Sequence, residues 1–222
     1  MEEKRLTPWQ AFKELLSGPK DKPIALSIYN PFSLKPADFV TVDDVLNGIQ
    51  STQFQVTEVD AYRRTIGDRT FESVDYVVEN SKEEWLTIRV SDDHGLPGNT
   101  ERTILLLFPD YEGEYDEELH KKTLPSRVLE IKDDQEQVIA TYERLSGLKE
   151  PYRADVLVLT ANESPRHESC EYWDFGRKTE DGRDEFYFVE MSTETGMIHT
   201  WRAVQTTESE LSFLRHSSES QR

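Results

Sequence analysis

The sequence predicts a mainly β protein, α+β by strict count because it carries one helix, with antiparallel meanders packed as a sandwich or an open barrel. From Ile24 onward, short segments rich in Val, Ile, Tyr, Phe and Thr alternate with Gly, Pro, Asp and Asn, which is typical of strands and turns. Ten Phe, nine Tyr and four Trp supply bulky core material, although only 36% of the residues are hydrophobic. Short intervals between candidate strands favour hairpin connections.

The candidate strands combine β-branched and aromatic residues with alternating polarity. In chain order they are Phe39–Val42, Gln53–Tyr62, Phe71–Glu79, Glu84–Val90, Thr103–Phe108, Arg127–Lys132, Ala154–Leu159, Glu168–Phe175, Glu185–Met191 and Ile198–Val204. One further segment, Gln137–Leu145, has apolar residues at helical spacing but contains the string Val-Ile-Ala-Thr-Tyr, which has a high strand propensity. We favour a strand there.

Residues 8–17 carry the clearest helix signals. Thr7 suits the N-cap, Pro8 the first helical position and Gly18 the position just after the end. The apolar residues of this segment recur at helical spacing on one stripe: Trp9, Phe12, Leu15 and Leu16. We therefore expect an N-terminal amphipathic helix that docks on the β core.

No low-complexity linker divides the chain, so residues 1–216 are expected to form a single β-rich domain. Glu208–Leu214 predicts a short terminal helix, and the Ser-rich residues 217–222 predict a disordered tail.

The chain also contains two similar strings, each with a tryptophan downstream: Tyr76–Glu79 before Trp85, and Tyr187–Glu190 before Trp201. One interpretation is a duplicated β-meander with similar halves at 24–108 and 109–216. The other is that hairpins rich in Tyr and Val resemble one another by chance.

The charge balance limits the classes of partner. The 222 residues include 26 Lys and Arg against 44 Asp and Glu, a net charge of -18, which opposes contact with nucleic-acid phosphates and docking on anionic membranes. No apolar run approaches the roughly 20 residues that span a bilayer. The start, Met1–Arg5, leads into an amphipathic stretch rather than a signal peptide, so we expect a cytoplasmic protein.

No strong catalytic motif is present: the sequence lacks a G-x-S-x-G elbow, a phosphate-binding Gly-Lys loop and a dinucleotide-binding glycine pattern. Cys170 is the one cysteine, which excludes an internal disulfide and a multi-cysteine metal site. Its neighbours Glu168 and Glu171 disfavour a reactive thiolate, so a buried structural cysteine is expected. We predict no catalytic residue, no metal site and no cofactor, and an enzyme is disfavoured but not excluded.

Four residues are binding candidates: Trp85, Arg89, His199 and Trp201. In a strand, Trp85, Thr87 and Arg89 share one face, while the aliphatic residues between them share the other, which is the natural core face. Similarly, Trp201 shares its face with His199. Tryptophan and arginine on a polar face are typical of binding surfaces. The alternative is that both faces are covered and the tryptophans belong to the core.

Three strings resemble a pattern found in small bacterial β domains of the YjfK-like kind: Leu34–Val40, Phe54–Val56 and Glu84–Ile88. The resemblance covers residues 34–90. It implies a β-rich fold and a bacterial cytoplasmic protein. Genes for such domains often lie near envelope-stress and polyamine-related genes. It implies no catalytic residues, because none are established for that pattern.

Three functions remain open. The leading hypothesis is a non-enzymatic interaction or accessory protein of a bacterial stress-response operon. The second is a small-ligand binding β module, with Trp and Tyr lining a pocket between sheets or within a barrel. The third is an enzyme whose residues come from separate strands and leave no local motif.

Overall fold

A computed structural model describes residues 29–66, 69–92, 102–114, 117, 123–145 and 151–215. The strands of this part of the chain are β1 (Phe39–Val42), β2 (Thr52–Ile66), β3 (Arg69–Glu79), β4 (Trp85–Asp92), β5 (Arg102–Gly113), β6 (Val128–Lys132), β7 (Val138–Arg144), β8 (Tyr152–Thr160), β9 (Arg166–Lys178), β10 (Asp184–Ser192), β11 (Ile198–Thr206) and β12 (Leu211–Leu214). Two short 3-10 helices span Val45–Asn47 and Glu208–Glu210. The mainly β prediction is confirmed. No helix in the described residues is long and apolar enough to cross a membrane.

Eight of these strands close into an antiparallel barrel. The neighbours run β2-β3-β4-β5-β11-β10-β9-β8, and β8 pairs back onto β2. Closure depends on the two longest strands, β2 and β9, because each pairs with two different strands along one edge. β2 pairs with β1 near its start and with β8 further on. β9 pairs first with β8 and then with β7.

The strands outside the barrel form two ribbons that cover its outer surface. The β1–β12 ribbon and the segment 29–34 cover the outer face of β2–β4, where a first outer cluster forms around Val59, Tyr76, Ile88, Val40 and Leu34. The β6–β7 ribbon covers β9–β11, where a second outer cluster contains Leu124, Leu129, Tyr142, Trp173, Phe175, Tyr187, Val189 and Ile198. These two outer clusters therefore lie outside the barrel wall, and the opposite strand faces line its interior. The interior holds two further apolar clusters: the first interior cluster is Leu105, Leu107, Tyr152, Tyr172, Phe188 and Ala203, and the second is Tyr62, Ala154, Val156, Val158 and Cys170.

Most strands are longer than their sequence patterns indicate, but the ambiguous segment is a strand, β7, as predicted. The terminal helix predicted over Glu208–Leu214 is wrong. Only one 3-10 turn forms, stabilised by a capping box between Thr207 and Glu210, and β12 follows. Alternating burial explains the strand, because Leu211 is buried and pairs with Val42 of β1. The helix at 8–17 and the tail at 217–222 lie outside the described residues.

The two similar strings occupy β3 and β10, where Tyr76 and Tyr187 both face the outer clusters. Their neighbours do not align in the same way. Glu79 pairs with Trp85, whereas Glu190 pairs with His199 rather than with Trp201. The duplication stays a hypothesis.

Candidate functional site

The interior of the barrel contains acidic and basic side chains from β2, β3, β4 and β10, brought there by simple alternation. In β2, Asp60 and Arg64 point inward while Val59 packs in the first outer cluster. The same alternation places Asp75 of β3 and Arg89 of β4 inside. Buried charges are costly unless they are paired, so each of these groups needs a partner or a function.

Arg89 is the best-paired of the interior charges. Its Nε and Nη2 donate to the two carboxylate oxygens of Asp75 at 2.8 and 2.6 Å, and its Nη1 donates to the hydroxyl of Tyr172. Its guanidinium also lies 4.9 Å from the ring centre of Phe188 on β10. Burial lowers the pKa of Arg89, but the Asp75 carboxylate, together with Tyr172 and Tyr62, more than offsets this and leaves the pKa above its ordinary value. Contacts to β3, β9 and β10 from one side chain show that it crosses the barrel interior.

Arg64 is buried but incompletely paired. Its Nη1 donates to the Ser73 hydroxyl at 2.6 Å, and its side chain lies over the rings of Tyr62 and Tyr172, 4.7 and 4.6 Å from their centres. The residue is only 8% exposed, and within the described part of the chain its Nε and Nη2 meet no hydrogen-bond acceptor. A guanidinium has five N–H donors, so most of its capacity to bind an anion is unused.

Two interior carboxyl groups are also incompletely paired. Asp60, 7% exposed, has one buried oxygen without a donor, and so does Glu190 of β10, as far as the described residues go. Burial raises the pKa of Asp60 well above its ordinary value, and the charges of Glu58, Asp75 and Glu190 raise it further. Burial likewise raises the pKa of Glu190, against the opposing effect of Arg89. Both carboxyls therefore bind protons more tightly than exposed ones.

The raised pKa of Asp60 predicts a pH-dependent contribution to stability. A carboxyl that holds its proton in the folded state but loses it in the unfolded chain favours folding at low pH, and this contribution is lost as the pH rises through the folded-state pKa. We expect Asp60→Asn to gain stability relative to the wild type as the pH rises from about 4 to about 8. Urea unfolding of both proteins across this range measures the difference; parallel stability curves would contradict the raised pKa.

All four binding candidates from the sequence face inward, at different depths. Arg89 lies deep in the barrel, whereas Trp85 starts β4 at one end and is 43% exposed. His199 and Trp201, near the start of β11, stack with ring centres 5.9 Å apart. Trp201 packs against the first interior cluster, which includes Leu107, Phe188 and Ala203. β4 and β11 both begin at this end, on either side of β5, so these three aromatic residues mark one mouth of the barrel.

Substitution of the two mouth tryptophans separates the core interpretation from the binding interpretation. Trp85→Ala should cost less than about 1.5 kcal/mol, because much of the ring is already in water. Trp201→Ala should cost more, about 2–3 kcal/mol, because its ring packs on the interior. Urea unfolding gives both values. If Trp85→Ala loses as much stability as Trp201→Ala, the core interpretation holds for Trp85 and its place at the mouth is contradicted.

The sequence did not reveal Asp60, Arg64 or Glu190 as site residues. The available signal was an ionisable residue at every second position of β2 from Asp60 to Arg64. The neighbouring Arg63 hides this signal, since only one of the two arginines can point inward. The burial predicted for Cys170 is confirmed, and this burial, followed by the nearby Glu190, raises the pKa of its thiol.

The outer surface offers weaker candidates. Two grooves of about 570 and 510 Å³ lie beside the start of β2 and share Gln55 and Thr57. The first is bordered by Arg166, whose guanidinium already pairs with Glu58, Glu163 and Glu168. Within the residues that the structure describes, no group of His, Cys, Asp and Glu could hold a metal ion. The interior remains the strongest candidate site.

Comparison of the chain with protein-family models, with curated proteins and with solved structures found no match. The chemistry of the barrel interior is therefore the basis for a function.

Proposed function

We propose that this protein binds a small molecule inside the barrel and that Arg64 receives the anionic group of that molecule. The observation that carries the proposal is the buried guanidinium, whose Nε and Nη2 find no acceptor among the described residues. A carboxylate matches the planar fork of donors that arginine presents. An eight-stranded barrel has an interior just wide enough for side chains or for one small ligand.

The surroundings of Arg64 support binding rather than structure. Tyr62 and Tyr172 hold the guanidinium plane by ring contacts, and Ser73 fixes one end of it. An arginine held in place before the ligand arrives loses little side-chain entropy on binding. Arg89 shows the contrast, because its fork is already filled by Asp75.

The experiment is a titration with n-butyrate, read by isothermal calorimetry and by thermal melting, on the wild type and on two matched variants. Arg64→Gln removes the interior guanidinium. Arg63→Gln, its chain neighbour on the outer face, removes the same charge and is the control. Butyrate should bind the wild type and Arg63→Gln and raise their melting temperatures, because a ligand that binds only the folded state stabilises it. Equal binding by Arg64→Gln, or none by the wild type, would contradict the proposal.

A different substitution of Arg64 tests a second prediction, about stability without ligand. An unpaired buried charge costs free energy, so Arg64→Met should be as stable as the wild type or more stable, although it loses the contact to Ser73. Urea unfolding without added anion measures this. A loss of more than about 2 kcal/mol would mean that Arg64 is a structural residue.

A second candidate function, the interaction protein, is favoured by a separate observation. β6 is the last strand of the sheet in the described residues, and the β6–β7 ribbon exposes Val128, Val138 and Ile139. Open strand edges and exposed apolar side chains are typical of sites that pair with an extended segment of another chain. Sedimentation of the wild type and of Ile139→Lys tests self-association through this edge, which should appear only in the wild type.

A further inference from the structure

The interior leaves atoms of both signs without partners. Arg64 offers N–H donors, while Asp60 and Glu190 each offer a buried oxygen that accepts no hydrogen bond from the described residues. An anion alone would pair with Arg64 and leave both oxygens as they are. The chemistry of the interior is therefore complementary to a molecule that carries an anionic and a cationic group.

The positions of these groups fit such a molecule. Asp60 and Arg64 lie four residues apart on the inward face of β2, about 13 Å along the strand. Glu190 on β10 interacts electrostatically with both arginines across the barrel. Tyr62 stands between Asp60 and Arg64 on the same face of β2, and its ring already contacts the guanidinium groups of Arg64 and Arg89.

We infer that the ligand of the barrel is a small zwitterion, with its carboxylate on Arg64 and its ammonium group between Asp60 and Glu190. This inference rests on the proposed function and adds the class of ligand to it. The ammonium group has three N–H donors and would donate to the unused oxygens of the two carboxyls.

Binding should also release protons. Asp60 and Glu190 are surrounded by the carboxylates of Glu58 and Asp75, by the thiol of Cys170 and by the phenols of Tyr62 and Tyr172, with Arg64 and Arg89 as the cationic neighbours. Those surroundings raise the pKa of both carboxyls when no ligand is bound, so at a given pH each holds more proton than an exposed carboxyl does. An ammonium group placed between the two carboxyls favours their ionised forms, so their protons pass to the solvent.

The test compares three probes of equal chain length: n-butyrate, n-butylamine and γ-aminobutyrate. Calorimetry in buffers of different ionisation enthalpy gives the affinity and the number of protons released for each. We expect γ-aminobutyrate to bind the wild type at least about tenfold more tightly than butyrate and to release protons, which butyrate should not do. Glycine and ε-aminocaproate, whose two charged groups are closer together and further apart, are measured in the same way. Their affinities show which separation fits the distance from Arg64 to the Asp60–Glu190 pair.

The matched variant is Asp60→Asn combined with Glu190→Gln, which preserves side-chain volume and keeps Arg64. It should still bind butyrate, because Arg64 is kept, and should lose the preference for γ-aminobutyrate together with the proton release. Equal affinity of the wild type for butyrate and γ-aminobutyrate would overturn the zwitterion and leave the proposed anion site standing. Tighter binding of butylamine than of either acid would overturn both, and so would the absence of binding by all probes.

Discussion

Replacement of Asp75 by leucine is expected to lower the free energy of unfolding by about 3–5 kcal/mol, because it leaves the Arg89 guanidinium buried without its counter-charge. Both side chains are only 4% exposed, so water cannot take the place of the lost carboxylate. Arg89→Met should lower the free energy of unfolding by a similar amount, because it leaves the buried Asp75 carboxylate without its counter-charge. Urea unfolding of the two variants and the wild type measures both losses.

The double variant Asp75→Leu/Arg89→Met provides the decisive comparison. Removal of both charges should restore much of the stability, because a buried ion pair can often be replaced by apolar residues of similar volume at little cost. Glu72→Gln is the control, since Glu72 faces Arg63 at 4.0 Å in a half-exposed pair that should contribute no more than about 1 kcal/mol. Additive losses in the double variant would show that the two side chains do not act as a pair.

Trp173→Ala is expected to cost about 3–5 kcal/mol, the second of the two largest effects. Trp173 is fully buried in the second outer cluster, between the barrel wall and the β6–β7 ribbon. Its removal leaves a cavity at the contact that holds this ribbon on the barrel, so the ribbon should loosen as well.

Urea unfolding together with hydrogen exchange measures the effect of Trp173→Ala. Amides of β6 and β7 should lose protection in this variant, whereas those of β1 and β12, on the opposite side, should keep theirs. Trp85→Ala is the control for loss of an indole at an exposed position. A small loss of stability for Trp173→Ala, or an equal loss of protection in both ribbons, would contradict the role assigned to the second outer cluster.

Local patterns in the sequence were sufficient for the strands but not for the closed barrel. β-branched and aromatic runs predict β1 residue by residue, and propensity decides correctly for β7. Closure depends on β8 pairing with β2, for example Leu157 with Ala61, across almost half of the chain. No local signal encodes such a pairing, because it depends on β2 and β9 being long enough to take two partners each.

The alternation in β4 predicted correctly that Trp85 and Arg89 share the face opposite the aliphatic residues. It could not predict that this face is the interior of a barrel, since in most sheets a face opposite the apolar one meets water. For Arg64 the sequence alone could not assign the inward or the outward face of β2. Adjacent Arg63 and Arg64 are equivalent until the register of β2 with β3 and β8 assigns one to each face.

The central claim is that the Arg64 guanidinium receives an anionic group inside the barrel, and arginine side-chain NMR tests it most directly. In a titration of ¹⁵N-labelled protein with n-butyrate, the Nε–H resonance of Arg64, assigned by its absence in Arg64→Gln, should shift and saturate. The Nε–H of Arg89 should shift little because it already donates to Asp75, and that of Arg63 should not shift. An unchanged Arg64 resonance, or equal and unsaturated shifts of all three, would contradict the claim.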